Sequence, residues 1–241
     1  MIRFNKCEIG YKSVLIRIPE LNLLAGNIYA LIGANGSGKS TLLNTITNKK
    51  SLFDGELFID SKSHATFSAK ELAQKIAYVD SKFDGVEFLT VEEYISLGRT
   101  PYTDAFGRLG EKDNQAILKA IELLNLNSFK DKFTVNLSDG ERQLVAIARA
   151  LAQTTPIIVL DEPTAFLDYG NRIKLIHLLS KIALEEQKCI VFSSHDIDLC
   201  IESSIQILIV NQQDKSLELC PSDMSKKDIL EIGFGIQSDL I

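Results

Sequence analysis

The segment Gly33-Ala34-Asn35-Gly36-Ser37-Gly38-Lys39-Ser40-Thr41 constrains this chain more than any other. It fills the pattern G-x-x-x-x-G-K-[ST] between a strand-like Tyr29-Ala30-Leu31-Ile32 and a helix-like Leu42 to Ile46. A glycine-rich turn leaving a strand can aim successive backbone N–H groups inward at an anion, because glycine has no Cβ to clash at that curvature. The helix behind it adds about half a positive charge at its N-terminus. The pattern predicts a nucleoside triphosphate site built from residues 33–41. Lys39 would reach the β- and γ-phosphates, and the Ser40 hydroxyl would hold Mg²⁺.

Three short apolar runs, Tyr29 to Ile32, Ile157 to Leu160 and Cys189 to Ser193, are each followed by polar residues. Buried parallel strands with a site at their C-terminal ends have this form. Ile2 to Cys7 and Val14 to Ile18 alternate and predict antiparallel strands, and Phe53 to Asp60, with Asp54-Gly55, suggests another hairpin. Helical spacing marks Val91 to Leu97, Asp113 to Leu126 and Glu141 to Ala152. Gln206 to Val210 and Ser216 to Leu219 predict two more strands, and Ser225 to Ile232 a closing helix. The expected organisation is one α/β domain over 1–241. Its core covers about 1–81 and 156–241, with a helical subdomain inserted at about 82–155.

A chain of 241 residues with 45% hydrophobic content can bury a sizeable core, roughly 70–75% of its unfolded surface. Its 32 acidic and 26 basic residues leave a net charge of −6 without a basic tract, which argues against nucleic acid as a partner. No apolar run approaches the roughly 20 residues that cross a bilayer, and the N-terminus lacks a signal-peptide pattern. Cys7, Cys189, Cys200 and Cys220 have no C-x-x-C spacing and are expected as reduced thiols. The expected compartment is the cytoplasm.

Ile157-Ile158-Val159-Leu160 ends in Asp161-Glu162. A strand ending here would set Asp161 beside the phosphate loop as a Mg²⁺ ligand, with Glu162 polarising an attacking water. Ser138 and Glu141, within Leu137-Ser138-Asp139-Gly140-Glu141, form an S-x-x-E capping box, and the capped N-terminus is also an anion site.

With these motifs in place, the chain resembles, over essentially its full length, the nucleotide-binding subunit of ATP-binding cassette proteins. The resemblance implies a P-loop NTPase (RecA-like) α/β core with an antiparallel β subdomain and an inserted helical subdomain. Leu137 to Glu141 matches the family signature, usually L-S-G-G-Q. It implies a head-to-tail homodimer in which each ATP lies between one phosphate loop and the partner's Ser138, Asp139, Gly140 and Glu141. Asp168 matches the D-loop at that interface, His195 the switch histidine that contacts the γ-phosphate, and Tyr11 the aromatic that stacks on adenine. The implied catalytic set is Lys39, Glu162 and His195, and the implied cofactors are ATP and Mg²⁺.

Two positions depart from the family pattern. After Ile76-Ala77-Tyr78-Val79 the family continues Pro-Gln, whereas this chain has Asp80-Ser81. Ser81 is too short to reach the metal and water directly, leaving a bridging water or Asp80 as substitute donor. Asp139 replaces a glycine, and its carboxylate would repel a γ-phosphate unless it points away. An active ATPase is still expected.

Phe88 to Tyr102 resembles the L-T-V-x-E and L-G-R-x-P elements of importer ATPases for iron–siderophores, haem and cobalamin. Its local reading is a helix start at Thr90, boxed by Glu93, and a stop at Gly98. The importer reading implies integral membrane permease subunits docked near 81–91, a periplasmic or surface substrate-binding protein acting indirectly, and a peripheral position on the inner membrane face. Two other classes fit the motifs: a soluble cassette ATPase, such as an iron–sulfur assembly factor, and a weakly catalytic ATP-gated clamp.

Overall fold

The computed structural model describes residues 1–104, 106–211, 213–221 and 223–236. The first part of the chain supplies β1 (Ile2–Gly10), β2 (Val14–Leu23), β3 (Ile28–Ile32), α1 (Lys39–Ile46), β4 (Asp54–Ile59), β5 (Lys62–Ser63), α2 (Ala69–Ala73) and β6 (Ile76–Val79). Three helices follow, α3 (Val91–Ser96), α4 (Glu111–Leu123) and α5 (Asp139–Ala152). The chain then runs through β7 (Ile157–Leu160), α6 (Tyr169–Glu185), β8 (Cys189–Ser193), α7 (Ile197–Glu202), β9 (Gln206–Val210), β10 (Leu217–Leu219) and α8 (Lys226–Phe234).

Two sheets result. One is antiparallel, ordered β2-β1-β4-β5; the other is ordered β10-β9-β3-β8-β7-β6, parallel except where β10 joins β9. β3, β7 and β8 are buried along their whole length, so they read as unbroken apolar runs. Side chains alternate faces along a strand, and each strand therefore feeds two cores. Ala30, Ile32, Ile158, Leu160, Ile190 and Phe192 face one core, shared with α3, α4, α5 and α6. Tyr29, Leu31, Val159 and Val191 face the other, shared with α1 and the antiparallel sheet. The helical segment thus adds to a core the sheet already owns.

Two local expectations are corrected. Asp54-Gly55 does not turn a hairpin; it lies inside β4 opposite an irregularity in β1 at Lys6, where φ is +49°. Gly55 has φ +88°, and a Cβ there would stand 2.1 Å from the Lys6 carbonyl oxygen. The hairpin turn is Asp60-Ser61, with φ +48° and +66°, the left-handed pair that a two-residue hairpin needs. Gly98 is not a left-handed helix stop either. It continues into a 3-10 turn over Leu97–Tyr102, and a Cβ there would lie 2.3 Å from the Arg149 carbonyl oxygen. Close approach to α5 is what requires glycine.

Arg99 follows directly. It is buried, pairs with Asp113 of α4 at 2.8 Å, and donates to the Ala152 carbonyl and the Thr154 hydroxyl, each at 2.8 Å. One guanidinium therefore ties α4 to the end of α5. α4 stops short of the predicted Leu126 because Asn125 turns left-handed at φ +55°. All four cysteines are free, three of them buried.

Candidate functional site

Register in the parallel sheet decides what meets at its C-terminal edge. Leu31 of β3 lies opposite Ser193 of β8, Leu160 of β7 opposite Phe192, and Val79 of β6 opposite Leu160. The phosphate loop, Ser193 to His195, Asp161-Glu162 and Asp80-Ser81 consequently leave adjacent strands side by side. These segments are far apart in the chain.

In the loop, Gly36 and Gly38 have φ of +77° and +104°, and Gly38 caps α1. Both conformations favour glycine, which is why the glycine spacing is so restrictive. The β1–β2 hairpin braces the loop from outside: a Cβ on Gly38 would lie 3.0 Å from Ile16 Cδ1 and 3.3 Å from Leu15 Cβ. Lys39 is buried and donates to the carbonyls of Gly33 at 2.7 Å and Ala34 at 3.1 Å. Burial pulls its ammonium below the usual lysine range, opposed by the Glu162 and Asp161 carboxylates. The buried Ser37 hydroxyl has no partner. A lysine leaning on its own loop and an orphaned hydroxyl are what an incoming polyphosphate would satisfy.

Asp161 is buried and Glu162 half-buried. Ser193 joins them: its hydroxyl donates to Asp161 Oδ1 at 2.6 Å and accepts the Glu162 N–H at 2.8 Å. Glu162 itself has φ +47°. Its Oε1 lies 2.7 Å from His195 Nε2. No cluster of three or more His, Cys, Asp or Glu among the described residues forms a self-sufficient metal site. The exposed Ser40 and the Asp161 carboxylate offer the few hard oxygen donors that suit Mg²⁺ when phosphates and water complete its shell. The donor set fits.

The signature residues form a second group. Ser138 caps α5, its backbone N–H and hydroxyl donating to Glu141 Oε2 at 2.7 and 2.8 Å, and these bonds hold the Glu141 carboxyl below its usual range. Asp139 is ion-paired with Arg142, which also donates to the Leu137 carbonyl at 2.7 Å. That pair answers the repulsion expected from this departure. Gly140 packs so closely on the segment before Asp168 that a Cβ would stand 3.0 Å from the Phe166 carbonyl oxygen. Asp168 caps α6, accepting from the Asn171 backbone N–H at 2.9 Å. Among the described residues, no hydrogen bond joins this group to the phosphate loop.

Lys49 pairs with the exposed Asp80 at 3.3 Å and also covers the Tyr78 ring at 3.7 Å. Burial, then the Asp161 and Asp80 charges, push the Tyr78 phenol well above its usual range. Tyr11 is exposed at the tip of the β1–β2 hairpin, with the Lys50 ammonium 3.7 Å over its ring.

The ABC transporter family model matches residues 17–165 of this chain. The chain belongs to the ABC transporter family. As in that family, it is an ATP-binding ATPase subunit. It is 32% identical to the petrobactin import ATP-binding protein of Bacillus anthracis, over 100% of this chain and 89% of that one. It is 31% identical to the iron(3+)-hydroxamate import ATP-binding protein of Bacillus subtilis, over 97% of this chain and 87% of that one. Among solved structures it is similar to a dimeric ATP-binding cassette in a post-hydrolysis state bound to ADP and Pi, with a TM-score of 0.77 and 30% identity, covering 90% of this chain and 97% of that one.

Two residues of this ABC ATPase's site carry no motif of their own. Ser193 ends an apolar strand as any small residue could, and only the neighbouring strand reveals its partners. Arg142 had a signal: an arginine three residues after Asp139 on a helix is within pairing distance.

Proposed function

We propose that this ABC ATPase is the nucleotide-binding subunit of an importer for an iron–siderophore, acting as a homodimer that sandwiches two MgATP and drives a separate membrane permease. The observation that carries the hydrolytic part is Glu162, held at a parallel-sheet edge beside Lys39 and Asp161 with its carboxylate on His195. The importer part is supported by relatives named for petrobactin and iron(3+)-hydroxamate import that align over nearly the whole chain. Phe88 to Tyr102 also resembles the corresponding elements of haem and cobalamin importers.

In this reading, residues 33–41 bind the phosphates, and Lys39 turns from its own carbonyls to the β- and γ-phosphates. Ser40 and Asp161 hold Mg²⁺, which supplies neutralisation of phosphate charge. Glu162 orients and polarises the attacking water. His195 steadies that carboxylate and faces the γ-phosphate. Tyr11 stacks on adenine, and Ser81 stands at the position that senses the permease. Ser138, Asp139, Gly140 and Glu141 cover the partner's nucleotide, with Asp168 at the interface. The ABC ATPase core comprises about 1–81 and 156–241, 82–155 forms the helical subdomain, and the permease docks near 81–91. No helix among the described residues is long and apolar enough to cross a membrane. In this reading the permease holds the chain at the inner face.

The test is affinity purification of the chain from gently solubilised membranes. A stoichiometric polytopic permease supports the importer. Recovery alone or with cytosolic proteins moves the assignment to the soluble cassette ATPases.

A further inference from the structure

Ser193 is fully buried at the end of β8, and its one hydroxyl serves both acidic residues of the neighbouring strand end. A hydroxyl has one proton to donate and two lone pairs. Here the proton goes to Asp161 Oδ1 at 2.6 Å, and a lone pair takes the Glu162 N–H at 2.8 Å. The first bond fixes the rotation of the Asp161 carboxylate and leaves its other oxygen for the metal position. The second matters because Glu162 stands at φ +47°, a conformation that residues other than glycine, asparagine and aspartate seldom adopt. Without an acceptor on β8, the Glu162 N–H would lose its hydrogen-bond partner, and relaxation of that peptide would carry the carboxylate away from His195.

We propose that Ser193 is a positioning residue of the ATPase site, one hydroxyl aiming Asp161 and Glu162 together. The inference rests on the hydrolytic roles given above to those two residues. It adds a dependence that neither residue's own motif contains: the metal position and the water position are mechanically linked through the strand between them and the phosphate loop. A change at Ser193 disturbs both at once, whereas a change at Asp161 or Glu162 alone disturbs its own function first.

The test compares Ser193→Thr with Ser193→Val in the full-length chain. The two side chains have nearly equal volume, so packing and stability change together and only the hydroxyl differs. Three quantities are read: turnover, ATP affinity in EDTA, and the gain in ATP affinity on adding Mg²⁺. Ser193→Thr is expected to keep all three. Ser193→Val should lose roughly ten- to a hundredfold in turnover, the range for a hydrogen bond to a charged group, and most of the Mg²⁺-dependent gain in affinity, while ATP binding in EDTA stays within about twofold. A Val variant with Thr-like turnover and Thr-like Mg²⁺ dependence overturns the proposal, as does equal loss in both variants. Glu162→Gln, measured alongside, separates the two layers. If it turns over normally, the hydrolytic reading itself fails; if it is inactive and Ser193→Val is not, only the positioning role fails.

Discussion

His195 Nε2 and Glu162 Oε1 stand 2.7 Å apart at the ends of two adjacent parallel strands. The bond holds the carboxylate at the sheet edge, so its removal should stop water activation without touching the phosphate loop. Glu162→Gln is expected to slow turnover by roughly 10²–10⁴ with ATP binding intact. Steady-state hydrolysis and nucleotide titration check this, and unchanged turnover would remove Glu162 from the mechanism.

Arg142 neutralises Asp139 at the first turn of α5. In Arg142→Ala the carboxylate loses its direct ion-pair partner where a partner's γ-phosphate would approach. ATP-driven dimerisation and hydrolysis should each weaken roughly fivefold, equivalent to about 1 kcal/mol of repulsion in a solvated setting. Adding Asp139→Gly should restore them. Failure to restore would mean that Arg142 acts through its bond to the Leu137 carbonyl instead.

Arg99 and Asp113 form a largely buried ion pair that joins α4 to the end of α5. Arg99→Ala strands Asp113 and is expected to cost about 3 kcal/mol in a denaturant titration. The Gly110 N–H, and then Arg99, hold the Asp113 carboxyl below its usual range. A lowered acid stabilises the fold above its unfolded value, about 3.9, and loses that contribution as pH falls through the lower folded one. Wild type should therefore lose stability toward acid below about pH 4, and Asp113→Asn should show a shallower loss.

His64 is buried and its Nε2–H donates to the carbonyl of Ile46, the last residue of α1, at 3.0 Å. Burial pulls its pKa below the usual histidine value, with the bond to Ile46 opposing. The folded state thus binds this proton less readily than the unfolded chain. Its contribution is complete above about pH 6.5 and declines as pH falls through that value toward the folded one. His64→Gln can keep a donor to Ile46 without titrating. The difference in Tm between wild type and variant should therefore shift against wild type between about pH 7.5 and 5.5; a pH-independent difference would contradict this.

Much of the architecture was readable because it is local. The phosphate loop, the boxes at Thr90 and Ser138, and the apolar runs of β3, β7 and β8 depend on residues within a few positions of one another. α6 was equally legible, though no prediction covered it: Leu175, Ile176, Leu179, Ile182 and Ala183 follow helical spacing behind an Asp168 cap. Gly55 and Gly98 misled for one reason. A glycine in sequence signals a turn, but here the backbone of a distant strand or helix lies where its Cβ would be.

By itself, the sequence determined that this chain holds a phosphate loop on a strand–helix unit, carboxylates after a buried strand, and a capped helix bearing the signature. Those features are contiguous, and backbone geometry acts over a turn or a strand. Only the tertiary structure decided that Ser193 bridges Asp161 and Glu162 across 31 or more positions, and that Lys49 takes up Asp80. Sheet order and register choose those neighbours, and both follow from packing the two cores as a whole.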